Sequence, residues 1–315
     1  MRIVIYGNFT VDYCSEVHYK KTLEDLGHEV IALQETEITT DELLRKSLYA
    51  DIMVWIHSHG FINNGDISML DVLDELKRNS VPTIAYHLDL YMGLERWKEY
   101  QNSPYMQVEH FFATDKLMAD WFNANTKVKG HFLPAGVYDK ECYIHPDYDD
   151  NFDHDVIFVG SKGYHPEYPY RPILIDFLRA MYGNRFLHVG GDGDTGTVRG
   201  DDLNRIYAKS KVAVGDTLNI DFSYPYYSSD RLFESTGRGG FTVYPKIKGL
   251  DKYYKDKSEI AFYKHGDLID LKNKIDYYLD NNKEREMIRF NGHNRAKQDH
   301  TYINRWQYIL EAING

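Results

Sequence analysis

The stretch most suited to binding chemistry is Ser228-Ser229-Asp230-Arg231-Leu232-Phe233-Glu234-Ser235-Thr236-Gly237-Arg238-Gly239-Gly240. Its opening Ser and Asp residues are helix-capping types, and a capped helix start presents backbone N–H groups and a positive dipole end, where a diphosphate is held. Glu234 falls one turn into that helix, placed to accept hydrogen bonds from the two ribose hydroxyls of a nucleotide. Gly239 and Gly240 let the helix end tightly and bring backbone close to a ligand. An ordinary capped helix with a glycine stop fits the same residues as well. Four other constellations carry chemistry. His57-Ser58-His59 and His87-Leu88-Asp89 follow apolar runs and combine groups that exchange protons or bond sugar hydroxyls. Gly191-Asp192-Gly193-Asp194-Thr195-Gly196 satisfies Gly-x-Gly-x-x-Gly and contains an Asp-x-Asp triplet, but Thr197 to Gly200 intervene before helical periodicity begins at Leu203, so a dinucleotide fingerprint is disfavoured. Gly7-Asn8, after the first apolar run, offers backbone amides to a phosphate or helps seat an acceptor.

These groups need strands that end at them. Apolar runs predict strands at Ile3–Tyr6, Val30–Leu33, Asp51–Ile56, Thr83–Tyr86, Phe111–Thr114 and His131–Leu133. Helical patterns lie between, such as Tyr13–Leu26 closed by Gly27, and Ile67, Leu70, Leu73 and Leu76 at helical spacing. Tyr138–Asp155, with Pro146 and many Asp, His, Tyr and Asn, reads as an exposed connection. The alternation restarts with strands at Val156–Val159, Phe186–Val189, Val212–Val214, Phe241–Tyr244 and Ile260–Tyr263. This is the grammar of an α/β protein with two Rossmann-like, doubly wound domains, and it places a ligand between them at the strands' carboxyl ends. Lys283–Arg295 alternates charge at helical spacing and reads as an exposed helix face.

Composition narrows the partners. The 315 residues carry a net charge of −11, and residues 1–150 hold 25 acidic against 13 basic side chains. An anionic membrane or a nucleic acid is held by Lys/Arg clusters, so the acidic first half disfavours both. Apolar runs are too short for a transmembrane segment, and the start reads as a first strand rather than a signal peptide, which leads to a cytoplasmic expectation. Cys14 and Cys142 show no metal or disulfide spacing and read as reduced structural thiols.

The pattern Ser229-x-Arg231-Leu232-Phe233-Glu234 followed by Gly237-Arg238-Gly239-Gly240-Phe241 resembles the donor-binding segment of the CgeB-like glycosyltransferases, relatives of the retaining family 4 enzymes. Phe158-Val159-Gly160 with Arg171, Leu203–Lys211, His300-Thr301-Tyr302, Leu26–Val30 and Leu133–Val137 agree in order. The resemblance implies a GT-B fold: an acceptor-side domain over 1–145, a nucleotide-sugar domain over 153–300, and a last helix (302–315) crossing back to the first. It further implies that Glu234 holds the donor ribose and that Arg171 and Lys162 neutralise the diphosphate. Arg231 either joins them or pairs with an acid to orient its helix, and Ser229, Gly160, Gly239 and Gly240 line the donor. Asp89 and His87 match positions near the donor sugar; Gly7, Asn8, His57 and His59 fall toward acceptor or sugar. The implied activity is transfer from a nucleotide sugar, UDP-, GDP- and ADP-linked donors being undistinguished, with retention and without metal or other cofactor. Family 4 enzymes often carry a second Glu eight residues before the first, where this sequence has Tyr226. The rivals are a transferase acting on modified DNA bases, a non-catalytic nucleotide- or sugar-binding module, and, third, a dehydrogenase using the Gly191 loop.

Overall fold

The computed structural model describes residues 1–56, 62–163 and 167–314. Among them, eleven strands form two wholly parallel sheets. The first contains β1 (Arg2–Gly7), β2 (Glu29–Gln34), β3 (Ile52–Trp55), β4 (Thr83–His87), β5 (His110–Ala113) and β6 (Lys129–Phe132), ordered β2-β1-β3-β4-β5-β6. The second contains β7 (His154–Val159), β8 (Phe186–Val189), β9 (Ser210–Val214), β10 (Thr242–Lys246) and β11 (Ala261–Lys264), ordered β11-β10-β9-β7-β8. Both sheets share one winding: the second strand pairs outside the first, and the third turns back to the first strand's other edge. That reversal opens a crevice at the carboxyl ends of β1 and β3 in one sheet and of β7 and β9 in the other.

The central strands read as continuous apolar runs because helices cover both faces. Ile3–Tyr6 and Ile52–Trp55 are buried throughout. In the first unit α1 (Ser15–Asp25), α2 (Thr40–Ser47), α3 (Met69–Arg78), α4 (Glu95–Tyr100) and α5 (Lys116–Asn125) alternate with the strands. On α3, Met69, Val72, Leu73 and Leu76 face the core, and Ser68 with Asp71 forms a reciprocal cap at its start. In the second unit the order is α6 (Tyr170–Tyr182), α7 (Gly200–Ala208), α8 (Arg231–Gly237), α9 (Leu268–Asp280) and α10 (Asn282–Asp299). No helix is long and apolar enough to cross a membrane among the described residues.

The chain divides into Met1–Pro134 with Tyr302–Gly315, and Ala135–Thr301. The last helix, α11 (Tyr302–Asn314), packs in the first unit, with the rings of Tyr302 and Trp306 against Tyr19 and Arg305 Nε donating to Pro134 O at 2.8 Å. The division falls earlier than the exposed connection predicted over 138–155, because that segment is bound along the second unit. Val137 N donates to His300 O (2.9 Å), Asn204 Nδ2 bonds the carbonyls of Glu141 and Tyr143, and Asp147 and Asp149 pair with Arg205 and Lys209. Nor is 283–295 simply an exposed charged face. Arg285 and Arg289 are buried, and Arg289 donates to the carbonyls of Gly239 (2.7 Å) and Ser210 (2.7 Å), tying α10 to the sheet. Both thiols are free, and burial pushes Cys142 up to about 12 and Cys14 to about 11, which keeps them protonated.

Candidate functional site

In the second unit the crevice is framed by Gly160–Lys162 after β7 and Gly215–Thr217 after β9. Arg231, the first residue of α8, reaches across it. Its Nε donates to Val159 O (2.5 Å), its Nη1 to Asp216 O (3.0 Å), and its guanidinium lies over the Phe158 ring. Gly160 makes room for it: φ is +138°, and a Cβ there would stand 2.3 Å from Arg231 Nη2. Of the two roles expected for Arg231, orienting its helix fits, but through carbonyls rather than an acid.

The start of α8 differs from expectation. Asp230 is itself helical and its side chain makes no capping bond among the described residues. Ser229 instead ties the helix to the β9 loop, its N–H donating to Thr217 Oγ1 (3.0 Å) and its hydroxyl to Asp216 O (3.3 Å). Asp216 is fully buried, with Oδ2 accepting from Arg171 Nε and Oδ1 from the Tyr168 hydroxyl, both at 3.0 Å. Because Tyr168 donates to Asp216, its oxygen accepts from His265 Nε2 (3.0 Å), which leaves Nδ1 unprotonated. Burial pushes His265 down to about 4 against the pull of Asp216, so the imidazole is neutral. Arg171, expected at the diphosphate, is thus 5% exposed and bound in an ion pair. Lys162 is the more available cation: its ammonium pairs with Asp176 in a half-exposed bridge, and its amide donates to the Asp192 carboxylate at 2.9 Å.

Glu234 lies one turn into α8 with its side chain about a third exposed, 3.8 Å from Arg238 Nη2. Burial, then the charge of Asp230, raises its carboxyl above the ordinary range, opposed by Arg238. Gly239 and Gly240 meet protein where a ligand was expected. A Cβ on Gly239, where φ is +82°, would be 2.6 Å from Ile144 Cγ1; one on Gly240 would be 2.7 Å from Tyr207 and 2.8 Å from Ser235 O. Their role is close packing at the helix end.

The Gly191 loop is no dinucleotide turn. Gly190 and Gly196 form a bridge and α7 begins only at Gly200. Both aspartates are committed: although burial raises them, bonds from the Lys162 and Gly163 amides hold Asp192 below its usual range, and Arg179 with the His188 amide does so for Asp194. Among the described residues no group of three or more His, Cys, Asp or Glu is placed to hold a metal ion.

In the first unit Gly7 ends β1 beside Ile56 and Glu16, and Asn8 Oδ1 accepts from the amide and hydroxyl of Thr10 (3.0 and 2.7 Å), which fixes its loop. His87 ends β4 at 2% exposure, its ring against Tyr91, Tyr105 and Phe111; Asp89 follows it, half-buried. His57 and His59 lie outside the described residues. Sequence reasoning missed several groups. Glu35, just past the end of β2, is 1% exposed with Oε2 unbonded among the described residues, and burial and then Glu16 push its carboxyl up to about 7. Arg238 was legible as the cation four residues after Glu234; Asp216, Tyr168 and His265 carry no comparable spacing.

Residues 171–311, from α6 into α11, match the family described as glycosyl transferase-like. No curated protein matches the chain. Among solved structures, an α-glucosyltransferase in complex with UDP-glucose and DNA containing an abasic site is 11% identical with a TM-score of 0.69, covering 100% of both chains. Sucrose-phosphate synthase from Thermosynechococcus elongatus is 12% identical with a TM-score of 0.64 (99% of this chain, 98% of that one), and Anabaena HepE in complex with UDP and glucose is 14% identical at 0.65 (100% and 99%). The chain has the two parallel-sheet α/β units of the GT-B glycosyltransferases, and the segment bearing Glu234, Arg238 and Asp216 is similar to a glycosyl transferase-like family.

Proposed function

We propose that this chain is a glycosyltransferase that takes a nucleotide sugar as donor and binds it on the second unit. The observation that carries the reading is the glycosyl transferase-like match over 171–311, which contains the whole of α8 with Glu234. In this reading the part-exposed Glu234 carboxylate accepts hydrogen bonds from the donor ribose. Lys162 stabilises the charge that develops on the departing diphosphate. Magnitude chooses between the candidate cations. The Lys162–Asp176 pair is half-exposed, and such pairs contribute about 0–1 kcal/mol, so its ammonium is redirected to a ligand at little cost. Breaking the buried Arg171–Asp216 pair costs about 3–5 kcal/mol, so Arg171 stays as a brace.

Transfer then needs no metal and, by analogy with the retaining family 4 enzymes, proceeds with retention. Asp89 is the acid of the first unit we assign to the acceptor or sugar, in preference to the enclosed His87. The acidic first half favours an acceptor other than a nucleic acid. A thermal-shift screen of purified protein with UDP, GDP and ADP sugars, followed by donor hydrolysis, tests the reading. One donor class should raise the melting temperature, and Glu234→Ala should weaken its binding roughly 10- to 100-fold, the worth of hydrogen bonds to a charged group. No shift with any donor, or equal affinity in wild type and Glu234→Ala, would refute it.

A further inference from the structure

Arg238 closes α8 one turn after Glu234 and is 1% exposed. Its guanidinium is gripped from outside the helix. Nη1 donates to Asn204 Oδ1 (2.6 Å) and Gly200 O (3.3 Å) of α7, and Nη2 to the Glu141 carboxylate on the turn Asp139–Glu141. Glu234 Oε1 lies beyond bonding distance, at 3.8 Å from Nη2. The cation is therefore fixed independently of Glu234 and stands behind a carboxylate that keeps about a third of its surface open. An arginine that merely finished the helix would need only its last carbonyls; here the guanidinium bonds no carbonyl of α8 among the described residues, and two other elements hold it.

We infer that Arg238 is a positioning residue, locked by Glu141 and Asn204, whose charge keeps Glu234 an anionic acceptor for paired hydroxyls of the donor nucleoside. This rests on the donor site proposed above and says how that site is kept ionised. The balance is local. Burial and Asp230, at the start of the same helix, favour the neutral carboxyl, as does Glu141; Arg238 and Arg199, just ahead of α7, favour the anion. Tyr207 of α7 faces the same group as a neutral phenol, its ionisation opposed by burial and by Glu234. A protonated Glu234 has one acceptor oxygen fewer for a pair of hydroxyls.

Two variants then act in opposite directions. In Arg238→Gln the opposing charge is lost and Glu234 holds its proton to higher pH; in Glu141→Gln a repelling charge is lost while Asn204 and Gly200 still hold Arg238. The affinity of UDP, GDP or ADP, whichever the wild type binds best, is measured by calorimetry from pH 5 to 8.5. The midpoint of its fall on acidification should move up by about one pH unit in Arg238→Gln, consistent with loss of a close opposite charge, and down in Glu141→Gln. Arg238→Lys, which keeps the charge, should stay near the wild type. If Arg238→Gln does not fold, the Glu141→Gln shift decides. Loss of affinity by one factor at every pH, with the midpoint unmoved in either variant, would overturn the inference while leaving the donor site standing. No affinity of the wild type for any of the three would remove the donor site and the inference with it.

Discussion

Replacing Asp216 with Asn removes one charge from the centre of the second unit and leaves Arg171 buried without its counter-ion. The carboxylate is fully buried, it meets Arg171 Nε and the Tyr168 hydroxyl at 3.0 Å each, and Arg171 is itself 5% exposed. Breaking a pair so enclosed costs about 3–5 kcal/mol, chiefly because the remaining ion is stranded. The double variant Arg171→Met, Asp216→Leu strands no ion. Tyr168 loses its acceptor but still faces His265 Nε2, and the neutral imidazole can move its proton to Nδ1 and accept from the phenol instead. That reversal leaves a cost of about 1 kcal/mol, the worth of one ordinary hydrogen bond. The assay must report on the right unit. All four tryptophans, Trp55, Trp97, Trp121 and Trp306, belong to the first unit, so their fluorescence does not follow the second. Hydrogen exchange of the β9 amides against urea does, with tryptophan fluorescence as the internal control. Asp216→Asn should lower the opening free energy of β9 by about 3 kcal/mol, and the cycle should show a coupling of at least about 2 kcal/mol. A loss below about 1 kcal/mol, or a double variant as unstable as the single one, would refute the brace.

Glu35 gives the first unit a pH dependence of defined sign. Its folded value of about 7 lies above the ordinary 4.5, so the stability it allows is present in acid and is lost as pH rises toward and through 7. Glu35→Gln should therefore stabilise the first unit by up to about 3 kcal/mol at pH 8 and hardly at all at pH 4.5, read by tryptophan fluorescence in urea; a pH profile parallel to the wild type would dismiss the buried acid. Gly160→Ala should destabilise the second unit by about 3 kcal/mol, from backbone strain at φ +138° and from displacement of the Arg231 guanidinium. Combined with Arg231→Ala, whose shorter side chain vacates the space, it should add only the strain; full additivity by exchange of β9 and α8 amides would contradict the assigned contact.

The strands were legible because a parallel sheet covered on both faces demands unbroken apolar runs, and Ile3–Tyr6 and Val156–Val159 are such runs, too short for a helix and each followed by glycine. Glu234 was legible for a related reason: a helix fixes the spacing of its own residues, so an acid one turn in and a cation at 238 share a face. What supports that acid was hidden because its partners come from elsewhere in the chain. Nothing near Glu141 or Asn204 in sequence says that they grip Arg238. The same holds for Gly160, whose need for glycine arises from Arg231 far along the chain. Charge misled where it was read as exposure. Arg285 and Arg289 alternate with acids as a solvated helix face would, yet Arg289 donates to four main-chain carbonyls, of Tyr207, Gly239, Ser210 and Lys211. A guanidinium has five donors, so Arg289 pairs with Glu286 one turn back (2.6 Å) and still spends its other N–H groups on carbonyls left over at strand and helix ends. Arg231 and Arg289 bond such carbonyls, and Arg238 adds the Gly200 carbonyl to its Glu141 and Asn204 partners, so Arg231, which sequence alone offers to a ligand, is one of three arginines this fold uses to hold α8 in place. The half-exposed Lys162 is left as the cation we propose for a diphosphate.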